Sequence, residues 1–181
     1  MDISQSAEQI KALTNVQRHC EIISITLQSC SSKRARANTI FKEPFSVKPA
    51  LSSVNPTLQN RQLVVEIGFE YTAWDSSEPP QRIFQIDCSF EAAYLLNDEY
   101  NPSDEELSSF GKGTAVFNCW SYAREFIRDM TSRMGHQAPV LPLLRITPKK
   151  QEVDTPQAVP APLRVESESQ SLHTKLASAE N

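Results

Sequence analysis

The sequence predicts an α+β fold, an antiparallel sheet covered on one face by a single long helix. Three observations predict it. Two neighbouring segments, Leu63 to Ala73 and Phe84 to Tyr94, alternate apolar and polar residues with the two-residue period of a strand. A later stretch, Thr114 to Met134, repeats its apolar residues at spacings of three and four. No other helical stretch is long enough to cover such a sheet.

Taken in order, Ser6 to Arg18 sets Ile10, Leu13 and Val16 at near-helical spacing, with Glu8 early and Arg18 late, and reads as a short amphipathic helix. Glu21 to Ser29 alternates strictly, with Ile23, Ile25 and Leu27 on one face of a half-buried strand. Asn38 to Val47 continues in β-favouring residues, but Pro44 makes it an edge or bent segment. Lys48 to Gln62, with Pro49, Ser52, Ser53 and Pro56, reads as a long connection. The two clear strands then pair around a turn at Asp75 to Pro80, giving a hairpin with one apolar and one mostly polar face.

Ser103, with Glu106 three positions on, is a capping box that opens a short helix ending near Gly111. In the long helix Val116, Phe117, Trp120, Ala123, Ile127, Met130 and Met134 form one stripe, while Cys119, Tyr122 and Phe126 form a second row. One sheet contact cannot cover both, so a sister subunit is expected on the second. Glu125 is placed to meet Arg128, Asp129 to meet Arg133, and Gly135 to stop the helix in the left-handed region. Ala138 to Leu144 is extended and apolar. From Thr147 the chain turns to Pro, Ser, Glu, Gln and Ala, the composition of a disordered tail. The expected organisation is therefore an N-terminal helical extension over 1–19, a domain over 20–146 and a tail over 147–181.

At 181 residues the chain suffices for one domain plus tails, and its formal net charge of −4 argues against nucleic acid as the main partner. The basic cluster Lys33, Arg34 and Arg36 reads as a solvated turn. No apolar run reaches the ~20 residues of a membrane span and the N-terminus lacks the pattern of a signal peptide, so a cytoplasmic location is expected. Cys20, Cys30, Cys88 and Cys119 show no C-x-x-C spacing and read as small, reduced core residues. His19, His136 and His173 have no ligand spacing, so neither a metal nor another cofactor is expected.

Reactive groups do not converge. There is no Gly-rich phosphate loop, G-x-S-x-G or H-E-x-x-H, and an enzyme is not expected. Asp87 and Glu91 share a strand face with Ser89 between them, which permits a carboxylate pair but is better read as a solvated face. The apolar residues Phe41, Phe45, Val47 and Leu51, beside a Pro-rich stretch, are ordinary core filling or a groove at a sheet edge that holds extended peptide.

Ser121-Tyr122-Ala123-Arg124-Glu125, followed by Ile127, Met130, Ser132 and Arg133-Met134-Gly135, resembles the signature helix of the SecB export-chaperone family. Pro139, Leu141 and Leu143 match its Pro-x-Leu-x-Leu pattern, and the strand Ile83 to Leu96 is similar to the one before its helix. The resemblance implies a four-stranded antiparallel sheet and a homotetramer, a dimer of dimers with the long helices between sheets. It also implies binding of unfolded polypeptides without ATP. It maps Phe41, Phe45 and Val47 onto the client groove, with Leu51 beside them, and Tyr122 and Phe126 onto the subunit interface, where Trp120 and Met130 are also expected. The acidic positions that dock the translocase ATPase fall on Asn38 and Lys42, leaving Asp87 as the charged docking residue. The family's C-terminal helix is not evident here, and the added N-terminal helix is similar to that of SecB-like chaperones dedicated to toxin–antitoxin modules.

The function expected is thus an ATP-independent holdase for preproteins or for one client such as an antitoxin. One alternative is a small-ligand-binding or enzymatic α+β domain with Asp87 and Tyr94 in an internal pocket. Another is a module that recognises a folded partner through Phe41 to Leu51.

Overall fold

A computed structural model describes residues 1–35, 46–137 and 139–149. The expectations placed on Asn38, Phe41, Lys42, Phe45 and the tail beyond residue 149 lie outside the described residues. The elements run β1 (Asp2–Gln5), α1 (Ala7–Arg18), β2 (Cys20–Arg34), β3 (Ser46–Gln59), β4 (Gln62–Trp74), β5 (Arg82–Leu96), α2 (Asp104–Phe110), a π-helical turn (Gly111–Ala115), α3 (Val116–Arg133) and β6 (Arg145–Pro148). Four strands form one antiparallel sheet in the order β2-β5-β4-β3, while β1 and β6 pair in parallel beside it. This is the α+β architecture with one long helix that the sequence predicts.

The hairpin β4–β5 is the centre of the sheet. Opposed pairs Val65–Ala92, Ile67–Phe90, Phe69–Cys88 and Tyr71–Ile86 lie on its inner face, and all are buried. α3 sets Val116, Cys119, Trp120, Ala123, Ile127 and Thr131 against that face. Two residues change rows relative to the spacing argument. Cys119 is wholly buried, whereas Phe117 is 53% exposed, because the buried sector of the helix is centred between Val116 and Ala123. Thr131 is buried despite its hydroxyl because Oγ1 donates to the carbonyl of Ile127 at 2.7 Å. Of the two expected ion pairs, Arg133–Asp129 forms at 2.8 Å, and none joins Glu125 to Arg128 among the described residues.

Other boundaries also differ. Lys48 to Gln62, read as a connection, lies largely in the strand β3, whose Pro49 and Pro56 face Tyr71 and Val65 across the ladder. Among the described residues β3 is an edge strand with one side unpaired, and such strands tolerate the missing proline N–H. In β2 the ladder slips between Ile22 and Ser24 and between Leu27 and Ser29. These bulges take Ile23 out of the expected alternation, so Ile22, opposite Tyr94, shares the inner face with Ile25 and Leu27. Thr147 and Pro148 belong to β6, paired with Ser4 and Gln5, and not to a tail.

The N-terminal helix is where the spacing places it. Ser6 caps it reciprocally: the Gln9 amide donates to Ser6 Oγ at 3.1 Å and the Ser6 amide donates to Gln9 Oε1 at 2.9 Å. Leu13 and Val16 are buried, and Asn15 Nδ2 donates to Glu106 Oε1 on α2 at 3.2 Å. The same box recurs at Ser103 and Glu106. Helix α2 ends near Gly111 as expected, yet the chain does not turn there. It winds through the π-helical turn straight into α3, and at Gly113 a Cβ would come within 2.8 Å of Leu13 Cδ2, so the glycine admits close packing of α1. Gly135, at φ +80°, ends α3 as expected, with the amide of His136 donating to the carbonyl of Thr131 at 3.2 Å.

Replacing Ile127, 1% exposed, by Ala removes side-chain contacts at the helix–sheet seam. The expected cost is about 2–5 kcal/mol of unfolding free energy, measured as a lower urea midpoint with unchanged slope; a loss below 1 kcal/mol would mean that the seam collapses around the gap.

Candidate functional site

The inner face of the sheet is not covered evenly. α3 lies over β4 and β5, leaving the two edge strands to other partners. On the β3 side the segment 139–144 runs beside the helix, tied down where Trp120 Nε1 donates to the carbonyl of Pro142 at 3.0 Å, with Leu141 and Leu144 buried. On the β2 side no described element covers the strand. Leu27 pairs with Phe90, whose ring meets Phe126 of α3 edge-on at 6.5 Å, so Leu27 faces the helix side of the sheet. Ile22 and Leu27 are nevertheless 46% and 40% exposed. Tyr122 is exposed on α3, while Phe126 and Met130 are half-buried at its edge.

A cleft of about 180 Å³ opens at the far end of α3, lined by Val47, Tyr71, Ala73, Ile83, Phe84, Thr131, His136, Gln137 and Pro139. The start of β3, the strands β4 and β5, the end of α3 and the chain just after Gly135 meet there. The walls are largely aliphatic and aromatic. The Phe84 and His136 rings lie 5.1 Å apart. Two polar atoms, Tyr71 Oη and His136 Nε2, are buried there without a hydrogen-bond partner. Burial pushes the Tyr71 phenol up to about 12. Burial also holds His136 below the usual imidazole value, and the nearby Arg34 charge adds to this. A surface of this kind buries apolar side chains and offers at most isolated hydrogen bonds.

The residues singled out from the sequence separate in the structure. Val47 lines the cleft and is exposed, and Leu51 is half-buried on the same inner face, opposite Phe69. Tyr122, Phe126 and Met130 sit on the open side of α3. Trp120, placed with them at a subunit interface, is 2% exposed within its own chain, between Phe69 and the 139–144 segment, and so forms part of the core. Asp87 lies on the outer sheet face, accepting from Ser31 Oγ at 3.1 Å and from Gln85 Nε2 at 3.0 Å. Its ladder partner is Glu70, and Glu91 is opposite Glu66, so four carboxylates share that face.

Tyr94 is buried on the inner face, where its hydroxyl accepts from Asn118 Nδ2 at 3.1 Å. Asp87 and Tyr94 therefore project from opposite sides of β5, and no pocket contains both. The cysteines are not all core residues either: Cys88 and Cys119 are buried, Cys20 is half-buried and Cys30 is exposed on β2. Among the described residues no group of His, Cys, Asp and Glu is arranged to hold a metal ion, and no helix is long and apolar enough to cross a membrane. His136 and Thr131 had no distinguishing signal in the sequence. Thr131 reaches the cleft from the end of α3, and His136 reaches it through the turn after Gly135.

No protein-family model and no curated protein matches the chain. Among solved structures it is similar to a Mycobacterium tuberculosis SecB-like chaperone in complex with a ChAD peptide from the HigA1 antitoxin. The identity is 18%, over 76% of this chain and 99% of that one, with a TM-score of 0.67. A protein of unknown function from Streptococcus agalactiae matches at 10% identity, over 68% of this chain and 97% of that one, with a TM-score of 0.37. The first of these establishes a SecB-like fold.

His136 gives a pH prediction. Its value in the folded chain lies below the unfolded one of about 6.5, so the unfolded state binds more protons between the two. The stability carried by packing neutral His136 against Phe84 is then present above about pH 6.5 and lost as pH falls through the folded value. Titration of its ring protons by NMR should give a midpoint below that of an unstructured histidine, and a midpoint at or above it would contradict this placement.

Proposed function

We propose that this protein is an ATP-independent chaperone that holds non-native polypeptide in extended form. The observation that carries the reading is the apolar inner face left open at the β3 edge, where Val47 lies beside the cleft, while the open β2 side, with Tyr122 and Phe126, is left for a sister subunit. Apolar surface of this kind contributes about 25 cal/mol per Å² when covered. An extended chain that crosses several such patches accumulates affinity without demanding one sequence. Phe41, Phe45, Val47 and Leu51 are assigned to the client, and Tyr122, Phe126 and Met130 to contacts between subunits of a homotetramer.

A dedicated client such as an antitoxin is favoured over general export, because the similar SecB-like chaperone is in complex with an antitoxin peptide. The added N-terminal helix points the same way. The outer face, with Asp87 beside Glu70, is left as the docking surface for a basic partner, the translocase ATPase being one candidate.

The test is suppression of aggregation of denatured clients, with the antitoxin encoded nearest the gene included, at one client per assembly. The intact protein should keep the client in solution without nucleotide, and Val47→Asp should lower client affinity about tenfold or more by placing a charge in the cleft. Light scattering of the same sample should give about four chains per particle. A stable single-chain particle that protects no client would overturn the proposal.

A further inference from the structure

We propose that Cys30 and Cys88 form a reversible disulfide that staples the edge strand β2 to β5 when a peroxide reaches the open side of the sheet. The two residues are direct partners in the antiparallel ladder. Directly opposed residues have Cα atoms about 4.5 or 5.5 Å apart, depending on their place in the hydrogen-bond pattern. Both separations fall within the roughly 4.4–6.8 Å that a disulfide spans. Opposed side chains also project from the same face, so the two sulfurs start on one side of the sheet. The register is held on both flanks by side chains of the other face: Ser29 Oγ lies 2.8 Å from Ser89 Oγ, and Ser31 Oγ donates to Asp87 Oδ2 at 3.1 Å.

The two thiols differ in a way that divides the chemistry between them. Cys30 is exposed on a strand that no described element covers, whereas Cys88 is 4% exposed beneath α3. Burial, with Cys30 and Asp87 as smaller contributions, pushes the Cys88 thiol up to about 12, so it stays protonated until it reacts. Cys30 is therefore the group that meets the oxidant. Its thiolate attacks one oxygen of hydrogen peroxide, the O–O bond breaks, and Cys30 sulfenic acid and hydroxide result. Cys88 sulfur then attacks the sulfenic sulfur, the S–O bond breaks, and the Cys88 proton leaves with the departing hydroxide as water. Two thiols are oxidised by two electrons, and one peroxide is reduced to two waters.

β2 is held in the described fold by β5 alone, so the link would secure the strand that carries Ile22 and Leu27. Cys20 and Cys119 serve as internal controls, since neither has a cysteine opposite it in the sheet.

The experiment treats the full reduced chain with one equivalent of hydrogen peroxide and alkylates what remains. Two of the four cysteines should escape alkylation, and a digest should contain one peptide joining Cys30 to Cys88. The thermal midpoint should rise on the order of 5–10 °C, and dithiothreitol should reverse it. Cys30→Ser, a change at an exposed position, should abolish both the link and the rise, and the Cys20→Ser, Cys119→Ser double variant should retain the linked peptide. Oxidation of Cys30 to sulfinic acid with Cys88 still a thiol, or a Cys30–Cys30 link between chains on a non-reducing gel, would overturn the proposal.

Discussion

The structure depends on a mismatch of widths. A helix with its side chains is about 10 Å across, whereas four strands at about 4.8 Å spacing place their outermost axes about 14 Å apart. One helix therefore seals two strands. Here those two are β4 and β5, whose inner faces supply Phe69, Tyr71, Phe90 and most of the buried core. The apolar inner faces of β2 and β3 must find cover from something else, and each edge meets that requirement differently.

At the β3 edge the chain supplies part of the cover itself. The π-helical turn packs over one end, where the Cβ position at Gly111 lies 3.1 Å from Val54, and the segment anchored by Trp120 runs beside the helix. Between these contacts and the turn after Gly135 a cleft remains. At the β2 edge no described element intervenes. Bulges at Ile23 and Gln28 adjust the strand so that Ile22, Ile25, Leu27 and Cys30 line up on the helix side. An edge strand with such a face is one that natural proteins cover or blunt. The exposed residues on both sides are thus consequences of one geometric shortfall.

The outer face follows different physics. Glu66 opposite Glu91 and Glu70 opposite Asp87 set like charges across the ladder, which opposes pairing. Hydrogen bonds from Ser31 and Gln85 to Asp87, and from Thr72 to Glu70, offset part of that repulsion. These acids keep the outer face solvated, while the inner face remains the apolar one.

Elements whose signal is local were legible in the amino-acid sequence. The two-residue alternation of β4 and β5, the reciprocal cap at Ser103, the stripe of α3 and the stop at Gly135 each follow from contacts within a few residues along the chain. The candidate site was legible only in part, since Val47, Leu51, Tyr122 and Phe126 could be named as apolar surface but not assigned a side. Whether Pro49 and Pro56 interrupt a strand depends on which strand lies at the edge. Whether Trp120 faces a neighbour or its own core depends on where residues 139–144 return, and whether Cys30 meets Cys88 depends on two bulges. Periodicity records which side chains avoid water, whereas their partners are set by sheet order and register, which link residues far apart in the chain, and only the tertiary structure decided those.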